Sequence, residues 1–545
     1  MKLFITIAAL AALSLAAPAG ARAQGQGAPA QTPQARADAL LAAYTPNRPG
    51  LAVLIARGGQ VIYERNLGAA DLEHGISVTA ASRFHVASVS KQFTAFAILQ
   101  QVKAGKVDLD ADIHTYLPEL ADFGAKITVS DLIHHTSGLR DQWDLEVLSG
   151  TSMDSLIRQK ALVAMAANQR GLNFAPGTDY RYSNTGYALL AEVVARTSGV
   201  PFAQYMREHI FAPLGMNDTL IYDNARDILP NRAMSYSVDA AGVTHLARLN
   251  YANYGATSLH TTTHDLLKWS RELLHPAVFD PALVRAAEQP GRLRDGTPMR
   301  YAFGMEASTV GGHRALTHSG ADAGYRSLIA SFPAEDASLV VFSNGAANVG
   351  KIGADLAEIF LGPAPPPPAP AAPDPARMAR LAGVYVNDWG PGFELKADGG
   401  KLYLQPAGPR AEAVLLPDGG FYVGAPDNRF TVRADGALVE HVATGGSTVV
   451  HRKVVRAAPS AAELAALAGT YHSDELDVTY KAVVSGTGLM LTSLRADPLV
   501  FLPADADHFE NERERLGVLR DSSGRVTGLS LATGRVRDLR FARVG

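Results

Sequence analysis

The chain contains no cysteine, which excludes disulfides, thiol nucleophiles and cysteine-ligated metal sites from the start. It also lacks an excess of charge of either sign, with 50 Lys and Arg against 53 Asp and Glu and a formal net charge of −3. That balance gives no reason to expect nucleic acid or an anionic membrane as a partner. The apolar run at the start, within MKLFITIAALAALSLAAPAGARA, is shorter than the roughly 20 residues a membrane span requires. It begins with one lysine, is rich in Ala and Leu, and closes with Ala-Arg-Ala at Ala21 to Ala23, the layout of a secretory signal peptide over residues 1–23. The expectation is a periplasmic or secreted protein with no stable membrane insertion after that segment is removed. Without cysteines, it must rely on packing alone.

At 545 residues, 47% hydrophobic and 19% charged, the chain is an ordinary globular sequence too long for one core, so two to four domains are expected. Residues 363 to 375, PAPPPPAPAAPDP, cannot form helix or central strand, because proline removes a donor and fixes φ. A stiff interdomain linker over residues 363–376 follows. Residues 24–362 then form one large unit in which strand-like runs such as LAVLIARG and SLVVFSN alternate with helical patterns such as TGYALLAEVVARTSG, so an α/β or α+β domain is expected. Beyond the linker come short alternating segments punctuated by Gly, Asp and Asn, which are strand and turn signals. LAGVY at Leu381 to Tyr385 recurs as LAGTY at Leu467 to Tyr471, and ATG at Ala443 to Gly445 recurs at Ala532 to Gly534. Two copies of a small antiparallel β-barrel, over residues 377–456 and 464–545, are the natural inference.

Within the large unit, Ser88 is expected to open a helix with a broad apolar face, and Lys91 follows it by three positions on the same face of the first turn. Free N–H groups and the helix dipole there favour negative charge on a substrate oxygen. A lysine in an apolar pocket is pushed toward its neutral form and can take a serine proton. The bland alternative is an N-cap serine beside a snorkelling lysine. Tyr182 and Asn184 fall in a polar turn before an amphipathic helix, where a phenol can share a proton relay and an amide can hold a carbonyl, or simply cap the helix. His318 and Gly320 stand at the start of a strand, where Gly320 would let a substrate backbone approach and the N–H of Ala321 could join an oxyanion hole. His134 and His135 invite a metal reading, but no spacing of carboxylates or histidines completes a site, so neither metal nor cofactor is expected.

In order, Ser88-x-x-Lys91, Tyr182-x-Asn184 and His318-x-Gly320 resemble the three active-site motifs of the penicillin-recognising serine hydrolases, especially their class C β-lactamase-like branch. VASVSKQFTAF, LIHHTSGL, YSNTGYALL and HSGADAGY are similar to stretches of that branch, and the resemblance spans roughly residues 35–360. It implies an α+β domain, an antiparallel sheet flanked by helices with a helical subdomain, and a site between the two. It further implies Ser88 as nucleophile, Lys91 and Tyr182 sharing the acid and base roles, and Asn184 positioning the substrate amide. His318 would line the opposite wall, with the N–H groups of Ser88 and Ala321 as oxyanion donors.

One departure matters: such enzymes usually carry lysine where this chain has His318, and histidine is mostly neutral at pH 7. Amides, peptides or esters without a carboxylate beside the scissile bond are therefore favoured. The two barrels resemble the D-aminopeptidase layout, and exported relatives include the peptidase that cuts linearised microcystin after D-alanine. The expected partner is thus a small peptide or ester, most specifically a short peptide with D-residues. The alternatives are an esterase or D-aminopeptidase with the same residues and, from another class, a catalytically dead sensor or binding protein. The sequence specifies no oligomeric state.

Overall fold

The computed structural model describes residues 31–544, apart from positions 153, 364, 406–409, 457–458 and 496. The expected signal peptide, residues 1–23, lies outside the described residues. No helix among those described is long and apolar enough to cross a membrane.

Six antiparallel strands form the central sheet of the first unit. They are β1 (Leu51–Arg57), β2 (Gln60–Leu67), β3 (Glu306–Val310), β4 (His313–Asp322), β5 (Tyr325–Phe332) and β6 (Ala337–Ser343), in the order β3-β4-β5-β6-β1-β2. Four helices organise what surrounds it: α1 (Ser90–Lys103), α2 (Asn184–Ser198), α3 (Thr263–Leu274) and α4 (Val349–Leu361). Side chains alternate across a strand, so Leu339 and Val341 of β6 join a core with Ile352 and Leu356 of α4, while Val340 and Phe342 join another with Phe93 of α1 and Trp269 of α3. Covered on both faces, β6 is buried at every position. This explains why SLVVFSN reads as one apolar run rather than an alternating one.

Helix α1 is enclosed rather than merely faced by the core: every residue from Ser90 to Leu99 is buried. A helix covered on all sides sits at the centre of a domain, with α2 and the short helices Val129–Ile133 and Gln142–Leu148 forming the helical subdomain beside it. Ser88 does not open the α-helix as expected. It lies two residues before the helix, in a 3₁₀ turn spanning Ala87–Val89.

After the linker, two closed barrels of eight strands each occupy residues 383–454 and 469–544 among the described residues, every strand pairing with the next and the last with the first. The repeat seen in sequence is structural. A helix, Pro375–Leu381 or Ala461–Leu467, leads into each barrel, and a tyrosine hydroxyl ties that helix to the first strand, Tyr385 donating to the Leu381 carbonyl at 2.9 Å and Tyr471 to that of Leu467 at 2.7 Å. The expected linker ends inside the first of these helices, and its Ala371 N–H already bonds the Leu415 carbonyl of the first barrel at 2.8 Å.

Both barrels dock on the first unit. Leu145 and Leu148 complete the core of the second barrel. Beside them Arg140, 5% exposed, donates to both carboxylate oxygens of Glu475, itself 7% exposed, and to the carbonyls of Arg537 and Asp538. Trp389 of the first barrel sits between the guanidinium groups of Arg181 and Arg537, at 3.9 and 5.3 Å from its ring centre, joining all three parts. Removing one partner of a buried ion pair leaves the other charge uncompensated. Arg140→Ala should therefore lower unfolding stability by about 3 to 5 kcal/mol in chemical denaturation of the full chain; a loss below about 1 kcal/mol, the value of an exposed pair, would show that docking does not depend on this contact.

Candidate active site

Ser88 sits at the mouth of the cleft between sheet and helical subdomain, and its turn is held under strain. Ala87 has φ 47, a left-handed conformation that costs a non-glycine residue on the order of 1 to 3 kcal/mol and persists only where packing enforces it. The enforcement is visible: the Val86 N–H donates to the Leu259 carbonyl at 3.0 Å, and the Val86 carbonyl accepts from Ser327 Oγ at 2.7 Å. Strand β4 presses directly on the same turn. A Cβ at Gly320 would come within 2.3 Å of the Val86 carbonyl and 2.4 Å of Ser327 Oγ. The glycine was expected to admit a substrate backbone; its missing side chain instead makes room for the turn that carries Ser88.

Strand β3 pairs with β4 only as far as Thr317. Residues His318 to Asp322, including exposed Ala321, therefore present an open strand edge to the cleft, where an extended peptide backbone can add.

Lys91 is 0% exposed. Its Nζ lies 2.8 Å from Asn184 Oδ1, 2.9 Å from the Ala256 carbonyl and 3.1 Å from Ser88 Oγ. The first two atoms can only accept. A neutral amine has two N–H bonds and one lone pair, so with both N–H bonds directed at Asn184 and Ala256 the lone pair faces the serine hydroxyl. Burial lowers the Lys91 pKa to about 7, opposed in part by the charges of Asp141 and Asp322. The rings of Tyr182 and Tyr187 stand 4.8 and 5.5 Å from Nζ and wall it from water.

Asn184 is the first residue of α2, not part of the turn before it. Its side chain was expected to position a substrate amide, but it is engaged within the protein: Oδ1 accepts from Lys91, while Nδ2 and the backbone N–H both donate to Asp141 Oδ2, at 2.9 and 2.6 Å. Asn184 therefore orients Lys91. Asp141 was not singled out from sequence; it lies 43 residues from its partner, beyond any local spacing pattern.

The Tyr182 hydroxyl is buried and makes no hydrogen bond of normal geometry among the described residues. Burial pushes its pKa up, with Ser88 and Arg535 opposing, so the phenol holds its proton at neutral pH. His318 is 8% exposed. Its Nδ1 lies 2.6 Å from the Ser319 carbonyl, which can only accept, so Nδ1 carries the hydrogen and Nε2 accepts from the Tyr301 hydroxyl at 3.0 Å. Burial and then Lys91 lower the His318 pKa to about 3, so the imidazole is neutral at physiological pH. His134 and His135 serve packing: His135 Nδ1 accepts from the Ser183 N–H at 3.1 Å, its ring lies 4.3 Å from that of Tyr182, and His134 Nδ1 is 3.2 Å from the Tyr301 carbonyl.

Both ATG loops converge here. In the first barrel, the Thr444 carbonyl accepts from the Arg300 N–H at 2.8 Å, and Gly445 lies so close to Tyr180 that a Cβ would reach within 2.2 Å of it. In the second, Thr533 Oγ1 donates to Asp144 at 2.5 Å, and Arg535 places its guanidinium carbon 5.1 Å from the Tyr182 ring centre. A cavity of about 460 Å³ bordered by Tyr182, His318, Tyr301, Glu306 and Thr444 extends the cleft between sheet and first barrel.

A family model described as Beta-lactamase matches residues 34–362. The chain belongs to the beta-lactamase family, and is a serine hydrolase. A D-aminopeptidase from Brucella ovis is 27% identical over 514 residues, covering 91% of this chain and 96% of that protein. Another from Gluconobacter oxydans is 26% identical over 523 residues, with 91% and 96% covered. Among solved structures, the octameric penicillin-binding protein homologue from Pyrococcus abyssi matches with a TM-score of 0.55 at 21% identity, over 76% of this chain and 99% of its own. The D-amino acid amidase from Ochrobactrum anthropi SV3 matches at 0.51 and 22%, over 60% and 98%. These structures share the beta-lactamase-family fold.

In this beta-lactamase-family hydrolase, protonated Lys91 has no lone pair for the serine. As pH falls through about 7, kcat/KM should drop about tenfold per pH unit and level off above that pH. A profile flat from about pH 5 to 9 would contradict the role of a neutral Lys91.

Proposed function

We propose that the chain is a serine peptidase or amidase acting through an acyl-enzyme on short peptides with D-residues. The observation that carries this reading is the Lys91 amine, whose hydrogens are held by Asn184 and Ala256 and whose third neighbour is Ser88 Oγ at 3.1 Å. Lys91 takes the serine proton as Oγ bonds to the substrate carbonyl carbon. The N–H groups of Ser88 and Ala321 receive the oxyanion. When the C–N bond breaks, the proton held by Lys91 reaches the leaving nitrogen by way of the Tyr182 hydroxyl, leaving an ester on Ser88. Water, deprotonated by Lys91, then hydrolyses that ester. Because Tyr182 keeps its proton at neutral pH, the base is assigned to Lys91 and the acid to Tyr182.

The D-residue preference is supported by relatives named D-aminopeptidase that align along 91% of the chain. The most specific substrate within the proposal is a linear peptide cut after D-alanine, such as linearised microcystin. Export belongs to the same proposal and is supported by the layout of residues 1–23. An esterase using the same residues is the second reading, favoured by a neutral His318. A binding protein with a dead site is disfavoured by the intact contact between Lys91 and Ser88.

A fluorophosphonate probe should label Ser88 in the wild-type protein and leave Ser88→Ala unlabelled. Mass spectrometry of a mixed peptide library should then show cleavage after D-residues and sparing of the L-counterparts. An unlabelled wild-type protein would sink the acyl-enzyme reading, and turnover of p-nitrophenyl acetate with negligible turnover of D-alanyl peptides would favour the esterase.

A further inference from the structure

Arg535 reaches the cleft from the hairpin joining strands Val526–Ala532 and Leu539–Val544 of the second barrel. Its backbone is pinned there: the Arg535 carbonyl accepts from Asn173 Nδ2 at 2.8 Å and from the Asp141 N–H at 3.4 Å, and Thr533 beside it bonds Asp144. The side chain is not pinned. It is 44% exposed, its guanidinium donates no hydrogen bond among the described residues, and its ion contact with Asp141 Oδ1 is a long 4.0 Å. The acidic neighbours are engaged elsewhere. Asp141 accepts from the Asn184 backbone and side chain and from the Trp143 N–H, and Asp144 accepts from Thr533.

A guanidinium with unused donors, held 5.1 Å from the ring centre of Tyr182, suits a carboxylate, which it can bind through two parallel hydrogen bonds. We propose that Arg535 is a specificity-determining residue that pairs with a carboxylate on the leaving portion of the substrate. The inference rests on the acyl-enzyme reading above, in which Tyr182 protonates the leaving group and so fixes that group beside the guanidinium. The preferred substrates are then peptides whose departing residue is acidic or ends in a free carboxylate. The positive charge that His318 does not carry is supplied beside Tyr182 by another part of the chain.

The test uses two activated esters of acetyl-D-alanine, with 3-hydroxybenzoate or the neutral 3-hydroxybenzamide as leaving group, on the full-length wild type, Arg535→Gln and Arg535→Lys. The wild type should prefer the benzoate ester by roughly tenfold or more in kcat/KM, chiefly through KM. Arg535→Gln should abolish that preference, with fluorophosphonate labelling of Ser88 reporting that the variant is folded, and Arg535→Lys should keep part of it. Absence of a preference in the wild type, or an equal loss on both esters in Arg535→Gln, overturns the proposal and marks Arg535 as a positioning residue. If the wild type turns over neither ester and takes up no fluorophosphonate, the acyl-enzyme reading itself fails, and this proposal with it.

Discussion

The site depends on keeping one amine out of water. Lys91 loses all hydration on folding, which disfavours its charged form, and the compensation comes from two oxygen acceptors and two aromatic rings rather than from a direct counter-ion. Around it the contacts form a chain: Asp141 holds Asn184, Asn184 holds Lys91, and Lys91 faces Ser88. The links from Asp141 to Asn184 and from Asn184 to Lys91 are buried, so removing either leaves a polar group unsatisfied in a low-dielectric interior, where the penalty is greatest. The strained turn at Ala87 completes the arrangement, because α1 carries Lys91 while β4 and Ser327 hold the turn before it.

The barrels are part of this centre rather than appendages to it. Arg140 docks the second barrel through Glu475, and its neighbour Asp141 is the residue that fixes Asn184. Barrel docking and lysine orientation thus share one short segment of chain. The equivalent hairpins of the two barrels approach the same segment, Gly445 against Tyr180 and Arg535 against Tyr182. Duplication of one small barrel has supplied two loops of similar origin with different chemistry at their tips.

Much of this was legible in the sequence, because its signals are local. The i, i+3 spacing put Ser88 and Lys91 on one face, the apolar run of β6 marked a strand covered on both sides, the prolines marked the linker, and the repeated LAG-x-Tyr marked two barrels. The roles of Asn184 and Gly320 were read differently, because each is set by a contact with a distant segment: Asp141 for the first, Val86 and Ser327 for the second. Arg535 was out of reach for the same reason. The ATG repeat marked its loop, yet no periodicity tells that a hairpin hundreds of residues from Tyr182 will end above that ring. The α-helix starts two residues after Ser88 rather than at it, since the 3₁₀ turn is imposed by packing of β4 rather than by helix propensity.

The central claim is that burial makes Lys91 a neutral base at physiological pH. It is tested most directly by NMR titration of the protein with ¹³C at lysine Cε, the Lys91 resonance being the one missing from Lys91→Met. A pKa near 7 in place of 10.5 is the predicted result. A resonance that titrates at the ordinary lysine value, or Lys91 protonated throughout the range in which Ser88 reacts, would contradict it.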